Sequence, residues 1–324
     1  MLRLIDAPAV EAALPFDTLV ATLRQAFAAG AEVPPRHMHQ LPDGAGGHVT
    51  SLLMPAWTAP TAGDAGFYGV KIVNVAPGNA ARGLPGLHGG YLLFEAATGR
   101  PLALIDADVL TARRTAAASA LAAGYLARPD ASRLLVLGAG RVASLLPAAH
   151  RAVRPIRHVA VWARRPEAAA TLAVRWQAAG FDTELVDDGE LPAAVAAADI
   201  VSCATLATEP LVRGAWLAPG SHLDLIGGFT PAMREADDDC FRGARIAIDT
   251  DEALAKAGDL LGPMSRGVFA AGDVRATLAQ LCRGSQPGRT QEKQRTVFKS
   301  VGTALEDLAA ARQVWAAVGA APGA

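Results

Sequence analysis

The stretch Arg133-Leu-Leu-Val-Leu137 runs directly into Gly138-Ala-Gly140 and then into a helical pattern reaching Ala152. A short apolar strand that ends in a glycine turn and opens a helix is the start of a βαβ unit, and it commits the following chain to a wound, mostly parallel sheet. The next residues agree. His158–Trp162, Thr183–Val186, Ile200–Ala204, His222–Ile226 and Ala244–Asp249 read as strands, with helical stretches at 165–179 and 191–198 between them. Such alternation predicts a Rossmann-type doubly wound parallel sheet.

The preceding residues have a different pattern. Residues 1–30 read as a short strand and one helix, and residues 31–65 are rich in Pro, Gly and His with strand-like pieces such as His48–Met54. Tyr68–Val75 reads as a strand, 77–90 as a glycine-rich loop, and Tyr91–Phe94 with Pro101–Ile105 as a hairpin across an Ala-Thr-Gly turn. Leu110–Leu126 reads as a helix, and Thr296–Val318 as a final helix that crosses back to the first domain. A chain of 324 residues suits two domains. The expected division is an α+β domain over 1–115, completed by helix 301–324, and the Rossmann domain over 116–300.

Composition removes several function classes. The formal net charge is −1, without the basic excess that phosphate neutralisation on nucleic acid demands. The three cysteines, Cys203, Cys240 and Cys282, are far apart and form no CxxC pair, so they predict buried thiols rather than disulfides or a zinc site. His37, His39 and His48 cluster in a loop without an acid at metal spacing, and no metal is expected. The N-terminus lacks the apolar core of a signal peptide, and no uncharged apolar run of about 18 residues occurs, so the expectation is a cytoplasmic protein with no membrane partner.

The glycine turn carries the first chemistry. Gly138 allows the tight turn, Gly140 lets the backbone approach a pyrophosphate, and Ala143 is small enough for close helix–strand packing. A helix start offers free N–H groups to phosphate. The reading is a nicotinamide dinucleotide site; the plainer alternative is a glycine turn with no ligand. At the end of the second strand, Trp162-Ala163-Arg164-Arg165 places arginines where NAD-binding units carry an acid for the ribose 2′-hydroxyl. That favours NADP(H), with NAD(H) as the alternative. The expected cofactor contacts are Thr115, Gly138, Ala139, Gly140, Arg141, Val142, Trp162, Arg164, Arg165, Cys203, Ala204, Thr205, Gly227, Val301 and Gly302.

The second chemistry is a scattered set of cations. Arg36 follows two prolines, Lys71 is embedded in a strand of Val and Ile, and Arg114 begins an alanine-rich helix. A cation in an apolar strand is costly unless it meets an anion, and convergent cations would hold a carboxylate. Spacing alone leaves open that these are three surface residues.

The stretches Pro35-Arg36, Gly69-Val-Lys71, Leu110-Thr-Ala-Arg-Arg-Thr-Ala-Ala-Ala-Ser119, Pro231-Ala-Met-Arg-Glu235, Ala257-Gly-Asp-Leu260 and Phe298-Lys-Ser-Val-Gly302 resemble, in order, the ornithine cyclodeaminase/mu-crystallin family. The resemblance implies a first domain that builds the homodimer and much of the substrate site, with Arg36, Lys71 and Arg114 gripping a substrate carboxylate near the nicotinamide. One departure is informative. Cyclodeaminases carry an aspartate just after the Gly-Gly that faces the nicotinamide, whereas this chain reads Gly227-Gly228-Phe229-Thr230-Pro231. Phenylalanine cannot hold an ammonium or accept a proton. The local sequence is more similar to the ketimine reductase branch, which implies reduction of Δ1-pyrroline-2-carboxylate to L-proline, or of the six-membered homologue to L-pipecolate. Phe229 and Thr230 would border the nicotinamide, and His88 would serve as acid or orienter, or merely line the pocket. The rivals are an ornithine cyclodeaminase, an alanine- or opine-type dehydrogenase, and a non-catalytic NADPH-binding protein of the crystallin kind.

Overall fold

A computed structural model of the chain describes residues 2–44 and 46–319, which form two compact units: residues 2–114 with 303–319, and residues 115–302. The first unit begins with β1 (Arg3–Ile5), α1 (Ala7–Ala13) and α2 (Phe16–Ala29). Asp6 caps α1 by accepting from the Ala9 amide at 3.0 Å. The single helix expected over this region is two helices. Pro15, which has no N–H and restricts the residue before it, stops the first and stands at the start of the second.

β2 (His37–Pro42), β3 (His48–Trp57), β4 (Phe67–Val75), β5 (Leu87–Glu95) and β6 (Pro101–Asp106) follow. With β1 they form a six-stranded sheet in the order β1-β6-β5-β4-β3-β2, antiparallel except for the β1–β6 pair. The expected loop over 77–90 is shorter than predicted. β5 starts at Leu87, and His88, Gly89 and Gly90 pair with Asn74, Val73 and Ile72. The glycine at 89 is required by closeness: a Cβ there would lie 2.9 Å from the Ile72 carbonyl oxygen.

The two faces of this sheet differ. Lys71, Met54 and Tyr91 are neighbours on one face and are buried. On the other, Leu4, Leu104, Leu92, Val70 and Pro55 make a continuous cross-strand row. Leu4 is 78% and Leu104 37% exposed.

α3 (Ala107–Leu126) carries the chain out of the first unit. The second unit contains β7 (Arg133–Leu137), α4 (Leu146–Arg151), β8 (His158–Trp162), α5 (Pro166–Ala178), β9 (Asp182–Leu185), α6 (Leu191–Ala197), β10 (Ile200–Cys203) and β11 (His222–Leu225). It continues with β12 (Arg245–Ile248), α7 (Ala253–Lys256), α8 (Gly258–Ser265), β13 (Val274–Thr277), α9 (Leu278–Arg283) and β14 (Thr296–Lys299). All eight strands are parallel, in the order β13-β12-β14-β11-β10-β7-β8-β9. The chain winds outward from β7 to β9, then returns to the other side of β7 as β10. This is a Rossmann-type doubly wound sheet, with its switch point between β7 and β10.

The expected helix over 296–318 is overturned in its first turn. Thr296–Lys299 is β14, fully buried in the middle of the sheet between β11 and β12. Gly302 has a φ of 76°, a left-handed conformation that suits glycine, and only after it does α10 (Ala304–Gly319) begin. α10 packs on α1, α2, β3 and β4 of the first unit. Among the described residues, no helix is long and apolar enough to cross a membrane, and no group of His, Cys, Asp and Glu could hold a metal ion. Cys203, Cys240 and Cys282 form no disulfide; the first two are buried as expected, whereas Cys282 is only partly buried.

Candidate active site

In the second unit, a cleft of about 450 Å³ opens at the carboxyl ends of the strands, at the switch point. Gly138 and Gly140 line one side, Ala204 and Thr205 another, and Arg164 and Arg165 a third. Gly138 has a φ of 117°, and a Cβ on it would meet the Ala204 carbonyl oxygen at 2.6 Å, so the turn requires glycine twice over. Gly140 is different: a Cβ on it would meet nothing within 4 Å. Its missing side chain leaves open space above the turn, which fits the close approach of a pyrophosphate.

The helix after the turn differs from expectation. Residues 143–145 form a 3₁₀ turn and α4 has only six residues, beginning at Leu146 next to Pro147. The glycine turn therefore has no long helix start behind it. Arg164 and Arg165 are exposed at the cleft, and Arg141 is exposed beside the turn. Trp162 is buried, its indole N–H donating to Asp188 at 2.7 Å, and Cys203 is fully buried in β10. These two can offer only backbone or a wall to a ligand.

Of the remaining cofactor candidates, Ala139 lines the cleft, Val142 lies in the turn just before the 3₁₀ residues and Thr115 is half-buried in α3, whereas Thr205, Gly227, Val301 and Gly302 are held by a buried polar knot. Glu235 accepts from the Thr205 amide at 2.8 Å, the Thr205 hydroxyl at 2.7 Å and the Gly227 amide at 2.8 Å. Asp259 accepts from the Glu235 amide at 2.7 Å with one oxygen and pairs with Lys299 at 3.0 Å with the other. Asp249 accepts from the Val301 and Gly302 amides at 2.8 and 2.7 Å. Burial pushes the Glu235 carboxyl up to about 7, against the pull of Lys299 and the Thr205 donors. Three carboxylates thus fix the backbone at the ends of β10, β11 and β14. Glu235, Asp259 and Lys299 lie far apart in the sequence, which hides that they meet. Phe229 lies just beyond, 46% exposed, and Thr230 accepts from the Met233 and Gly258 amides through its carbonyl.

The first unit holds the cations. Lys71 is 2% exposed and its ammonium lies 2.7 Å from Asp307 Oδ2. Arg114 is 5% exposed, donating from Nε to Asp307 Oδ1 at 2.8 Å and from Nη1 to Glu306 Oε2 at 2.5 Å. The anions that make these buried cations tolerable are therefore built in, on α10. The cations were read from the sequence, but Glu306 and Asp307 were missed. Arg36 is half-buried one residue before β2, and continuing the β2–β3 register sets it level with Met54, the partner of Lys71. His88 is not brought to this cluster. It is exposed, and by strand alternation it belongs to the face opposite Lys71 and Tyr91.

A parallel sheet with a glycine turn and an open cleft at its switch point is the architecture of a dinucleotide-binding protein, and the first unit adds a buried lysine–arginine pair held by two carboxylates. The ornithine cyclodeaminase/mu-crystallin family model matches residues 6–320, and the chain belongs to that family. It is 45% identical over 243 residues to the Δ1-pyrroline-2-carboxylate reductase of Paracoccus denitrificans, covering 74% of this chain and 76% of that protein. Among solved structures, it is similar to the Δ1-pyrroline-2-carboxylate reductase of Thermococcus litoralis in complex with NADH and L-proline. The TM-score is 0.89 at 31% identity, over 98% of this chain and 97% of the other. An archaeal alanine dehydrogenase dimer with bound NAD gives a TM-score of 0.87 at 28% identity, over 97% and 95%.

Proposed function

We propose that the protein is an NAD(P)H-dependent oxidoreductase acting on C=N bonds, reducing Δ1-pyrroline-2-carboxylate to L-proline and its six-membered homologue to L-pipecolate. The observation that carries the reading is the buried Lys71–Arg114 pair in a chain so similar to a reductase of this imine. Lys71 and Arg114 have N–H groups beyond those committed to α10 among the described residues, and with Arg36 these would hold the substrate α-carboxylate. The cofactor, when bound, supplies the hydride. The imine nitrogen is protonated, the hydride adds to the C=N carbon, and the π electrons pass to nitrogen. Fixing the carboxylate orients that carbon, and orientation is most of what the protein must contribute. Phe229 gives an apolar wall in place of an amine-binding acid, which disfavours ornithine deamination. The test supplies the unmodified protein with NADPH and the cyclic imine, and separately with L-ornithine and NAD. We expect cofactor oxidation in the first and no ammonia in the second; ammonia from ornithine without imine reduction would overturn the reading.

The cofactor is assigned as NADP(H) in preference to NAD(H). Both arginines that follow β8 are exposed at the cleft, and residues 162–165, where NAD-binding units carry an acid, contain none, although Glu209 also lines the cleft. A charged donor on the 2′-phosphate is worth about 1.5–3 kcal/mol. Replacing Arg164 and Arg165 together with alanine should weaken NADPH binding at least tenfold and leave NADH little changed. Equal losses for both cofactors in fluorescence titrations would show that the arginines only support the fold.

The working form is assigned as a homodimer. The apolar row Leu4–Leu104–Leu92–Val70–Pro55 is too continuous for a solvated sheet face. Light scattering should give a dimer for the wild type and a monomer for Leu104→Asp; a monomeric wild type at micromolar concentration would refute the assignment.

A further inference from the structure

Three buried charges surround the substrate-binding lysine, and two of them come from α10. Asp307 is 0% and Glu306 1% exposed. Asp307 divides its carboxylate, giving Oδ2 to Lys71 at 2.7 Å and Oδ1 to Arg114 at 2.8 Å, while Glu306 takes the other branch of the guanidinium at 2.5 Å. Two neighbouring residues of one helix thus set a lysine on β4 and an arginine on α3 side by side. The groups facing Lys71 are Asp307 and Glu306 from α10 and Arg114 from α3, with Tyr91 beside it on β5. The Tyr91 ring is fully buried, and its hydroxyl would lie 2.0 Å from a Cβ on Gly69, so the glycine makes room for it. That hydroxyl has no hydrogen-bond partner among the described residues. Burial, with Asp307 adding to it, pushes its ionisation well above the usual range, so it is a neutral neighbour.

We infer that Asp307 and Glu306 are the positioning pair of the substrate site. Asp307 holds Lys71 as a cation, and the two carboxylates together lock the Arg114 fork, so that the remaining N–H groups present one fixed cradle to the substrate carboxylate. The inference rests on the assignment of that carboxylate to Lys71 and Arg114. Burial lowers the Lys71 ammonium to about 8, with Arg114 pushing the same way, and Asp307 is the chief force opposing both. Lys71 is therefore charged at neutral pH because Asp307 is present. Removing that anion lowers the lysine further, and the site loses a cation at a pH where the wild type keeps it.

The experiment measures kcat and KM for NADPH oxidation with Δ1-pyrroline-2-carboxylate from pH 6 to 10 in the wild type, Asp307→Asn and Glu306→Gln, with melting curves alongside. In the wild type, kcat/KM should fall above about pH 8, the value to which Lys71 is lowered. In Asp307→Asn the fall should move at least one pH unit lower with a raised KM, and in Glu306→Gln KM should rise with a smaller movement. Asp307→Glu should restore part of the wild-type profile. A lower melting point with the fall unmoved would mean a merely structural role and would overturn the inference. Should Asp307→Asn fail to fold, L-proline binding by Lys71→Arg decides, since no imine titrates there: the arginine stays charged throughout, so a fall in binding near pH 8 seen in the wild type should vanish, and its persistence would refute the role given to Asp307. L-Proline binding, read by fluorescence of bound NADPH, follows the same cradle without turnover. A pH-dependent proline site that responds to Asp307→Asn, in a protein that does not reduce the imine, would overturn the proposed reaction and keep the pair. Imine reduction with an unmoved profile would do the reverse.

Discussion

Arg114→Ala is expected to damage folding and catalysis together. The guanidinium is the charged donor that meets both Asp307 and Glu306 in a site where all three side chains are buried. Removing one partner of a buried ion pair leaves the other charge without compensation, at a cost of about 3–5 kcal/mol. For a chain of this size that is roughly a 4–7 °C drop in melting temperature. Catalysis should fall on both axes, with KM raised and kcat lowered, because in the proposed reaction the same group would bind the carboxylate and orient the imine. Arg114→Lys should recover part of the stability, since one positive charge returns. It should recover little activity, since an ammonium cannot span two carboxylates and still present a fork to a third. A melting temperature within about 2 °C of wild type for Arg114→Ala would show that the buried pairs contribute nothing. A destabilised variant with unchanged KM would show that Arg114 belongs to the fold and not to the substrate.

The result would also bear on what a sequence can disclose. Arg114 and Lys71 were legible as cations in apolar settings, because a buried charge must meet an opposite one. The natural completion of that argument was a ligand carboxylate. The structure supplies two protein carboxylates first, and they lie more than 190 residues further along the chain. Their signal was present in another form. Residues 304–311 read Ala-Leu-Glu-Asp-Leu-Ala-Ala-Ala, and the acidic pair interrupts a helix start that is otherwise apolar on all sides. In such a helix an acid is buried, and a buried acid has a partner. Periodicity failed for a different reason at Thr296–Lys299. Val297, Phe298 and Val301 fit a helical face as well as a strand, and four residues are too few to separate the two. The helix expected to contain them was in fact two elements with Gly302 between. His88 shows the same limit: a histidine among glycines looks like a loop, yet Gly89 is there because the β4 backbone approaches too closely for a side chain. What the sequence did carry through is the wound sheet itself, since six of its eight strands, β7 to β12, were legible as short apolar runs and the first of them were separated by clear helical stretches.

The second large effect separates two glycines that a motif search would treat alike. Gly227 follows β11 and donates to Glu235 at 2.8 Å. A Cβ on it would lie 1.8 Å from the Thr205 carbonyl oxygen and 2.5 Å from Glu235 Oε1. Neither neighbour can yield cheaply, because Thr205 is held by Glu235 through its amide and its hydroxyl. Gly227→Ala must therefore push apart the ends of β10 and β11, at a cost of about 3 kcal/mol or more. Since Thr205 lines the cleft proposed for the nucleotide, cofactor affinity should fall with stability. Gly140→Ala meets nothing within 4 Å and should melt like the wild type. Its methyl group would occupy the space left for the pyrophosphate, so NADPH binding alone should suffer, by at least tenfold. Melting curves and NADPH titrations on the two variants give a crossed pattern: both properties lost in Gly227→Ala, affinity alone lost in Gly140→Ala. Unchanged NADPH binding in Gly140→Ala would place the pyrophosphate away from the turn and remove the dinucleotide site from the switch point of the sheet.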